Sequence, residues 1–190
     1  RKPDLLFSKG GFVSVPPVIA AHLLKIPVIS HESDISPGLA TRINARFSDL
    51  ICVPFAEGFD RLGQEKLRVT GNPVRKDLLE AKQKPFALAQ DALPLLLVLG
   101  GSGGSAAINA LIEKTLDELL SICSVYHQVG ANAPLPSLRP NYTAVEFIGD
   151  DLAALLHRAD LVVSRSGAGV LEELKLFAKA SILLPLGRKT

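Results

Sequence analysis

Two glycine-rich stretches carry the clearest chemical signal in this sequence. The first is Gly100-Gly101-Ser102-Gly103-Gly104-Ser105, entered from the apolar run Leu93–Leu99 and left through Ala106–Leu120. Glycines let a backbone come close to a phosphate, and a helix start offers unpaired N–H groups and a positive dipole. Ser102 or Ser105 would add a hydroxyl donor. A tight strand-to-helix turn also needs glycine, although the density here exceeds what one turn requires. The second stretch is Ser164-Arg165-Ser166-Gly167-Ala168-Gly169, followed closely by Glu172 and Glu173. A carboxylate there is placed to accept from two ribose hydroxyls while the helix start faces a diphosphate. Spacing alone leaves open which acid would act, or whether both simply favour the early turns of a helix.

Other candidates are weaker. His31-Glu32-Ser33-Asp34 follows a strand-like run, where polar groups suit a site, but the same residues would also suit a loop capping the next helix. Arg75 closes Gly71-Asn72-Pro73-Val74-Arg75; at a hinge it would reach a diphosphate bidentately, and otherwise it is a solvated linker charge. Gly101-x-Gly103-x-x-Ala106 fits the dinucleotide pattern, but the next strand ends in His127-Gln128-Val129-Gly130 without the ribose-binding acid. This disfavours NAD. With no lysine after the glycines, the loop is not of the Walker type. Four histidines and two cysteines, Cys52 and Cys123, show no metal spacing, and no Ser-His-Asp triad can be argued. His22 and His157 read as structural or surface residues, and both cysteines as buried free thiols, which fits a reducing compartment.

The elements that would position these residues alternate. Strands are expected at Leu5–Phe7, Ile26–Ser30, Leu50–Pro54, Leu67–Thr70, Leu93–Leu99, Ser124–His127, Ala144–Ile148, Leu161–Ser164 and Ser181–Pro185. Helices are expected at Pro16–Lys25, Leu39–Phe47, Ala106–Leu120, Asp151–Arg158 and Gly169–Phe177. In the second of these, Leu39, Ile43 and Phe47 should form the apolar face. Lys76–Gln90 reads as a polar connector with a short helix. Such alternation predicts an α/β fold: two Rossmann-like domains with parallel sheets, residues 1–74 and 75–190, and ligands at the carboxyl ends of the strands. With 47% hydrophobic and 21% charged residues the chain is globular, and its net charge of +2 gives no argument for nucleic acid. No apolar run reaches the ~18 residues of a membrane span. The chain does not begin with Met and both ends read as cut from something longer, so both domains are expected to be incomplete.

Taken together the motifs resemble the MurG family, GT-B transferases that move N-acetylglucosamine from UDP-N-acetylglucosamine to the lipid-linked muramyl-pentapeptide lipid I, making lipid II for peptidoglycan. The segments in register are Lys9–Pro16, Ile26–Glu32, Gly71–Arg75, Leu99–Gly104, His127–Gly130, Phe147-Ile148 and Ala159–Ala168. The resemblance implies an inverting transfer and roles residue by residue. Ser102, with Gly101 and Gly103, holds the donor phosphates. Arg75 contacts the donor at the hinge, and the Ile148 backbone reads the uracil edge, with Leu152 nearby. Ala168, Gly169 and Val170 line the diphosphate, and Glu173, rather than Glu172, takes the ribose. Gly10, Gly11, His31, Glu32 and Asp34 face the acceptor. It implies no cofactor and no metal, and a peripheral place on the cytoplasmic face of the bacterial membrane. The chain departs from the family at Gly103, where Gln is usual, at Val129, where Thr is common, and at Asp34, where Asn is common. An ionised Asp cannot donate as Asn does. The pattern resembles the variant of low-GC Gram-positive bacteria. The family's proposed base is expected before Arg1 and its sugar-holding glutamine segment after Thr190, so this chain alone is either part of a transferase or a non-catalytic UDP-sugar-binding fragment.

Overall fold

The computed structural model describes residues 3–83, 93–101 and 103–186. The part of the connector from residue 84 on, and Ser102, lie outside the described residues. The chain divides into two compact units, Arg1–Pro73 and Val74–Thr190.

The first unit is a four-stranded parallel sheet of β1 (Leu6–Ser8), β2 (Val28–His31), β3 (Leu50–Val53) and β4 (Leu67–Val69), paired in sequence order. Between them run α1 (Val15–Leu23), preceded by a 3-10 turn at Phe12–Ser14, and α2 (Leu39–Asn44). Proline at the first turn suits α1, where the missing N–H would be unpaired anyway. Val18 and Ala21 of α1 pack on Ile26 and Val28. A second cluster joins Ile51, Val53, Phe59 and Leu62. The expected apolar face of α2 holds only in part: Phe47, just beyond the helix, packs against the Val18 cluster, but Leu39 does not. Leu39 is 76% exposed, and the fully covered positions are Thr41 and Asn44. They are held by hydrogen bonds: Thr41 Oγ1 donates to Glu32, and Asn44 Nδ2 to Ser14 Oγ at 2.8 Å. The helix also stops at Asn44, short of the expected Phe47.

The second unit contains α3 (Lys76–Lys82), β5 (Leu95–Leu99), α4 (Ala106–Leu120), β6 (Ser124–Gln128), β7 (Tyr142–Val145), α5 (Leu152–Arg158), β8 (Leu161–Arg165), α6 (Ala168–Leu176) and β9 (Ser181–Leu184). Its five strands are parallel, in the order β7-β6-β5-β8-β9. Every residue of β5 is buried, as befits a central strand covered on both faces. Alternate residues serve opposite cores. Leu97 and Leu99 join Leu156, Leu174, Phe177 and Leu78 on one face. Leu96 and Val98 join Ile108, Ile112, Leu116 and Val125 on the other. Each such leucine contributes roughly 1.5–3 kcal/mol by leaving water. The order grows from β5 through β6 to β7 on one side, then continues on the other side with β8 and β9. The reversal between β5 and β8 is a topological switch point, which opens a crevice at the strand carboxyl ends.

The loop after β5 lies against the end of β6. A Cβ on Gly104, whose φ is +75°, would stand 2.2 Å from the Val129 carbonyl oxygen. One on Gly130, φ +96°, would stand 2.3 Å from Gly104 Cα. Gly103 is different: a Cβ there meets nothing within 4 Å, which leaves room for the glutamine usual in the MurG family. Beneath this crossing a polar chain is fully satisfied. Tyr142 O–H donates to His127 Nδ1 at 3.0 Å, His127 Nε2–H to Asn109 Oδ1 at 3.1 Å, and Asn109 Nδ2 to the Val129 carbonyl at 3.0 Å. Burial holds the His127 imidazole down at about 4, so it is neutral in this chain of bonds. Ser105 Oγ accepts from Ile108 N–H and caps α4.

Gly130→Ala and Gly104→Ala should each destabilise the chain by about 3 kcal/mol or more, because backbone must move. Gly103→Gln should change stability by no more than about 0.5 kcal/mol. Urea unfolding of the three variants measures this; equal losses would contradict it.

Candidate functional site

The switch point of the second unit brings the β5 and β8 loops side by side. Leu99 pairs with Ser164 in register, and Ser164 Oγ donates to the Leu99 carbonyl at 3.2 Å. After β8, Gly167 is the N-cap of α6, with no side chain capping it. The first helical bond runs from Leu171 N–H to the Gly167 carbonyl. The N–H groups of Ala168, Gly169 and Val170 therefore have no helical acceptor, which leaves an opening for an anion. Gly101 and Gly103 lie in the loop facing this crevice; Ser102 is outside the described residues. Gly103, Gly104 and Ser105 also border a cavity of about 560 Å³ between α4 and residues 132–136.

Glu173 stands one turn into α6 and is half-buried. Burial pushes its carboxyl pKa up, the nearby Arg75 guanidinium pulls it down, Asp77 pushes it up again, and the net is raised. Glu172 is otherwise engaged, as its carboxylate accepts from Lys175 Nζ at 3.0 Å. The structure thus separates two neighbours that spacing left equivalent. Arg75 is the N-cap residue of α3 and grips Asp77 through Nε, at 3.1 Å, and Nη2. That bond raises the Arg75 pKa, and Glu173 and Asp150 add to the effect. Ile148 and Leu152 join the core cluster that also receives Val74 and Val170, so both sit on the same core as the start of α6. The Ile148 N–H donates to Gln128 Oε1 at 2.9 Å. Among the described residues nothing donates to the Ile148 carbonyl, which remains open as an acceptor.

In the first unit, Gly10-Gly11 and His31–Asp34 follow adjacent strands, β1 and β2. An ideal Cβ on Gly10 would stand 3.7 Å from the His31 carbonyl oxygen, so the two loops touch. Lys9 Nζ donates to His31 Nδ1 at 3.0 Å, which leaves Nε2–H to donate to the Gly71 carbonyl at 3.1 Å. The Glu32 carboxylate accepts from Ser33 N–H, Asp34 N–H, Gly38 N–H and Thr41 O–H. Burial pushes its pKa up, but these four bonds outweigh that and bring it below the usual value. In this structure Glu32 therefore holds its own loop. The Asp34 side chain is exposed and makes no hydrogen bond among the described residues. Three residues had no assigned role in the sequence. Lys9 orients His31, Gln128 bridges two loops, and Asn72 donates to the Ser33 carbonyl at 3.1 Å while its Oδ1 is buried without a partner.

Residues 95–190 match the family model described as glycosyltransferase family 28 C-terminal domain, and residues 1–53 the N-terminal domain of the same family. The chain belongs to glycosyltransferase family 28. Among its relatives is the UDP-N-acetylglucosamine–N-acetylmuramyl-(pentapeptide) pyrophosphoryl-undecaprenol N-acetylglucosamine transferase of Clostridium botulinum (strain Loch Maree / Type A3). That protein is 44% identical over 195 residues, covering 100% of this chain and 55% of the relative. The enzyme of the same name from Clostridium perfringens (strain SM101 / Type A) is 43% identical, covering 98% and 54%. This family 28 chain therefore spans about half the length of the curated relatives it matches. The crystal structure of Acinetobacter baumannii MurG superposes with a TM-score of 0.67 at 27% identity, over 98% of this chain and 54% of that one. A Neisseria meningitidis UDP-GlcNAc 2-epimerase bound to UDP-GlcNAc also reaches 0.67, at 19% identity over 96% of this chain and 59% of that one, and shares the fold alone. The MurG resemblance of the motifs and the GT-B fold are borne out.

Because Arg75 lowers and Asp77 raises the Glu173 pKa, Asp77→Asn should lower it and Arg75→Ala should raise it. The folded value lies above the unfolded one, so this contribution to stability is full below the ordinary carboxylate range and is lost as pH rises through the folded value. NMR titration of the Glu173 carboxyl carbon in the two variants checks the directions; shifts of the same sign would contradict them.

Proposed function

We propose that the protein containing this chain transfers N-acetylglucosamine from UDP-N-acetylglucosamine to lipid I, forming lipid II for the bacterial cell wall. The second unit, residues 75–190 in this reading, holds the donor nucleotide, and the first, residues 1–74, faces the acceptor. The observation that carries the reading is the open start of α6 at the switch point, with Glu173 one turn in, in a chain so similar to enzymes named for this reaction.

An acceptor hydroxyl attacks the anomeric carbon, UDP departs from the opposite side, and the configuration inverts. The hydroxyl proton goes to a base; no residue of this chain is assigned that role. Charge building on the leaving diphosphate meets the N–H groups of Ala168, Gly169 and Val170 and the α6 dipole. Arg75 adds a guanidinium, and Glu173 accepts from the ribose hydroxyls. The Ile148 carbonyl accepts from uracil. His31 and Glu32 hold the acceptor-side loop in shape, while the Asp34 carboxylate, which makes no hydrogen bond among the described residues, contacts the acceptor as an acceptor of hydrogen bonds only.

A lipid-linked substrate calls for a place at the cytoplasmic membrane face. No helix among the described residues is long and apolar enough to cross a membrane. Exposed Phe12, Val13, Leu23 and Leu24, with Lys9 and Lys25 nearby in sequence, support peripheral contact instead. A second reading applies to the chain by itself: spanning 55% of its relative, it binds the donor nucleotide and transfers nothing.

Calorimetric titration of this chain should show binding of UDP and UDP-N-acetylglucosamine and none of NAD. Transfer to a lipid I analogue is then assayed with the chain and with the full-length protein. Binding without transfer by the chain marks the fragment reading; no binding of either uridine ligand would sink the donor site. Glu173→Ala should weaken UDP binding about tenfold, and Glu172→Ala by less than about twofold. Equal effects would refute the choice of Glu173.

A further inference from the structure

Gln128, the last residue of β6, has no role in the reading above. Its residue is only 6% exposed, yet its side chain carries both a donor and an acceptor. Both are used. Nε2 donates to the Gly101 carbonyl at 2.8 Å, and Oε1 accepts from Ile148 N–H at 2.9 Å. These partners fix the amide orientation, because reversing it would set NH₂ against N–H and oxygen against oxygen. The two partners belong to different loops. Gly101 follows β5; Ile148 follows β7, which is two strands away across β6. No backbone hydrogen bond between those two loops appears among the described residues, so the amide is a direct tie between them.

We propose that Gln128 is a positioning residue that sets the spacing between the diphosphate-facing loop at Gly101 and the base-facing Ile148 segment, so that a nucleoside diphosphate engages both at once. This rests on the donor-site reading above. Held at a fixed separation, the two half-sites act on one ligand without first having to be ordered, which is preorganisation. A glutamine that served stability alone would weaken every ligand by the same factor, through the folded fraction.

Uridine and UDP separate the two cases, measured by calorimetry on the full-length protein at a pH above the introduced carboxyl's own pKa, which burial raises and NMR titration locates. Gln128→Glu is nearly isosteric. Its carboxylate still accepts from Ile148 N–H, but it has no proton for the Gly101 carbonyl and repels it. UDP affinity should fall about tenfold while uridine affinity stays within about twofold. Gln128→Leu removes both bonds, and UDP, which engages both loops, should weaken more than uridine; equal weakening would mark a stability role. If the leucine variant does not fold, the glutamate variant decides alone. Equal weakening of UDP and uridine in Gln128→Glu, or unchanged UDP binding, would overturn the positioning role. Absence of UDP binding in the wild type would overturn the donor-site reading itself, and the proposal with it.

Discussion

The second unit depends on one close approach, the backbone of Gly104 against that of Gly130. At these separations no side chain fits, since even a methyl group would overlap main-chain atoms. Because the loop after β5 can settle so low on the end of β6, several polar groups reach their partners. Ser105 comes into register to cap α4, Asn109 reaches the Val129 carbonyl, and Gln128 reaches Gly101. Raising the loop by the width of a side chain would strand each of these groups at once, and a buried polar group without a partner costs about 1–3 kcal/mol. The glycine density of the loop therefore has two sources. Gly104, with Gly130, serves the backbone crossing, while Gly103 borders open space.

The first unit organises its strand ends by other means. There the loops are tied through side chains, with Lys9 and His31 linking the loop after β1 to Gly71 and Glu32 gathering three N–H donors from its own loop and the Thr41 hydroxyl of α2. Among the described residues, the buried side-chain nitrogens and oxygens of this unit all have partners, Asn72 Oδ1 and Asn44 Oδ1 excepted. The contrast with the start of α6 is physical. One set of strand ends is tied together by its own side chains. The other leaves three N–H groups without a partner among the described residues.

How far the sequence revealed this depends on the kind of signal each element carries. The β5 strand was legible because burial on both faces writes a continuous apolar run. The α4 helix was legible to the residue because Ser105 caps it and Ile108, Ile112 and Leu116 recur at helical spacing. The face of α2 was legible only at Phe47, because its fully buried positions are polar, and hydrophobic periodicity cannot register a buried Thr or Asn held by hydrogen bonds. Gln128 was silent for a related reason. Its partners lie 27 and 20 residues away in the chain, and a glutamine ending a strand reads as surface. The distinction between Glu172 and Glu173 was partly available, since Lys175 stands three residues beyond Glu172, a spacing at which helical side chains meet.

Strand order also dictates a sequence of events during synthesis. From β1 to β4 of the first unit each strand docks on the one made just before it, so this part of the sheet can accrete as the chain emerges. The second unit is built from its centre outward. Its fully apolar middle strand, β5, appears first and keeps one open edge after β6 has joined, until β8 has been made. Through that interval an unpaired hydrophobic edge is exposed, the form of surface most prone to pair with another nascent chain. A sheet whose reversal point makes a good ligand crevice is, by the same geometry, one that asks a translating cell to shield its core strand from neighbours.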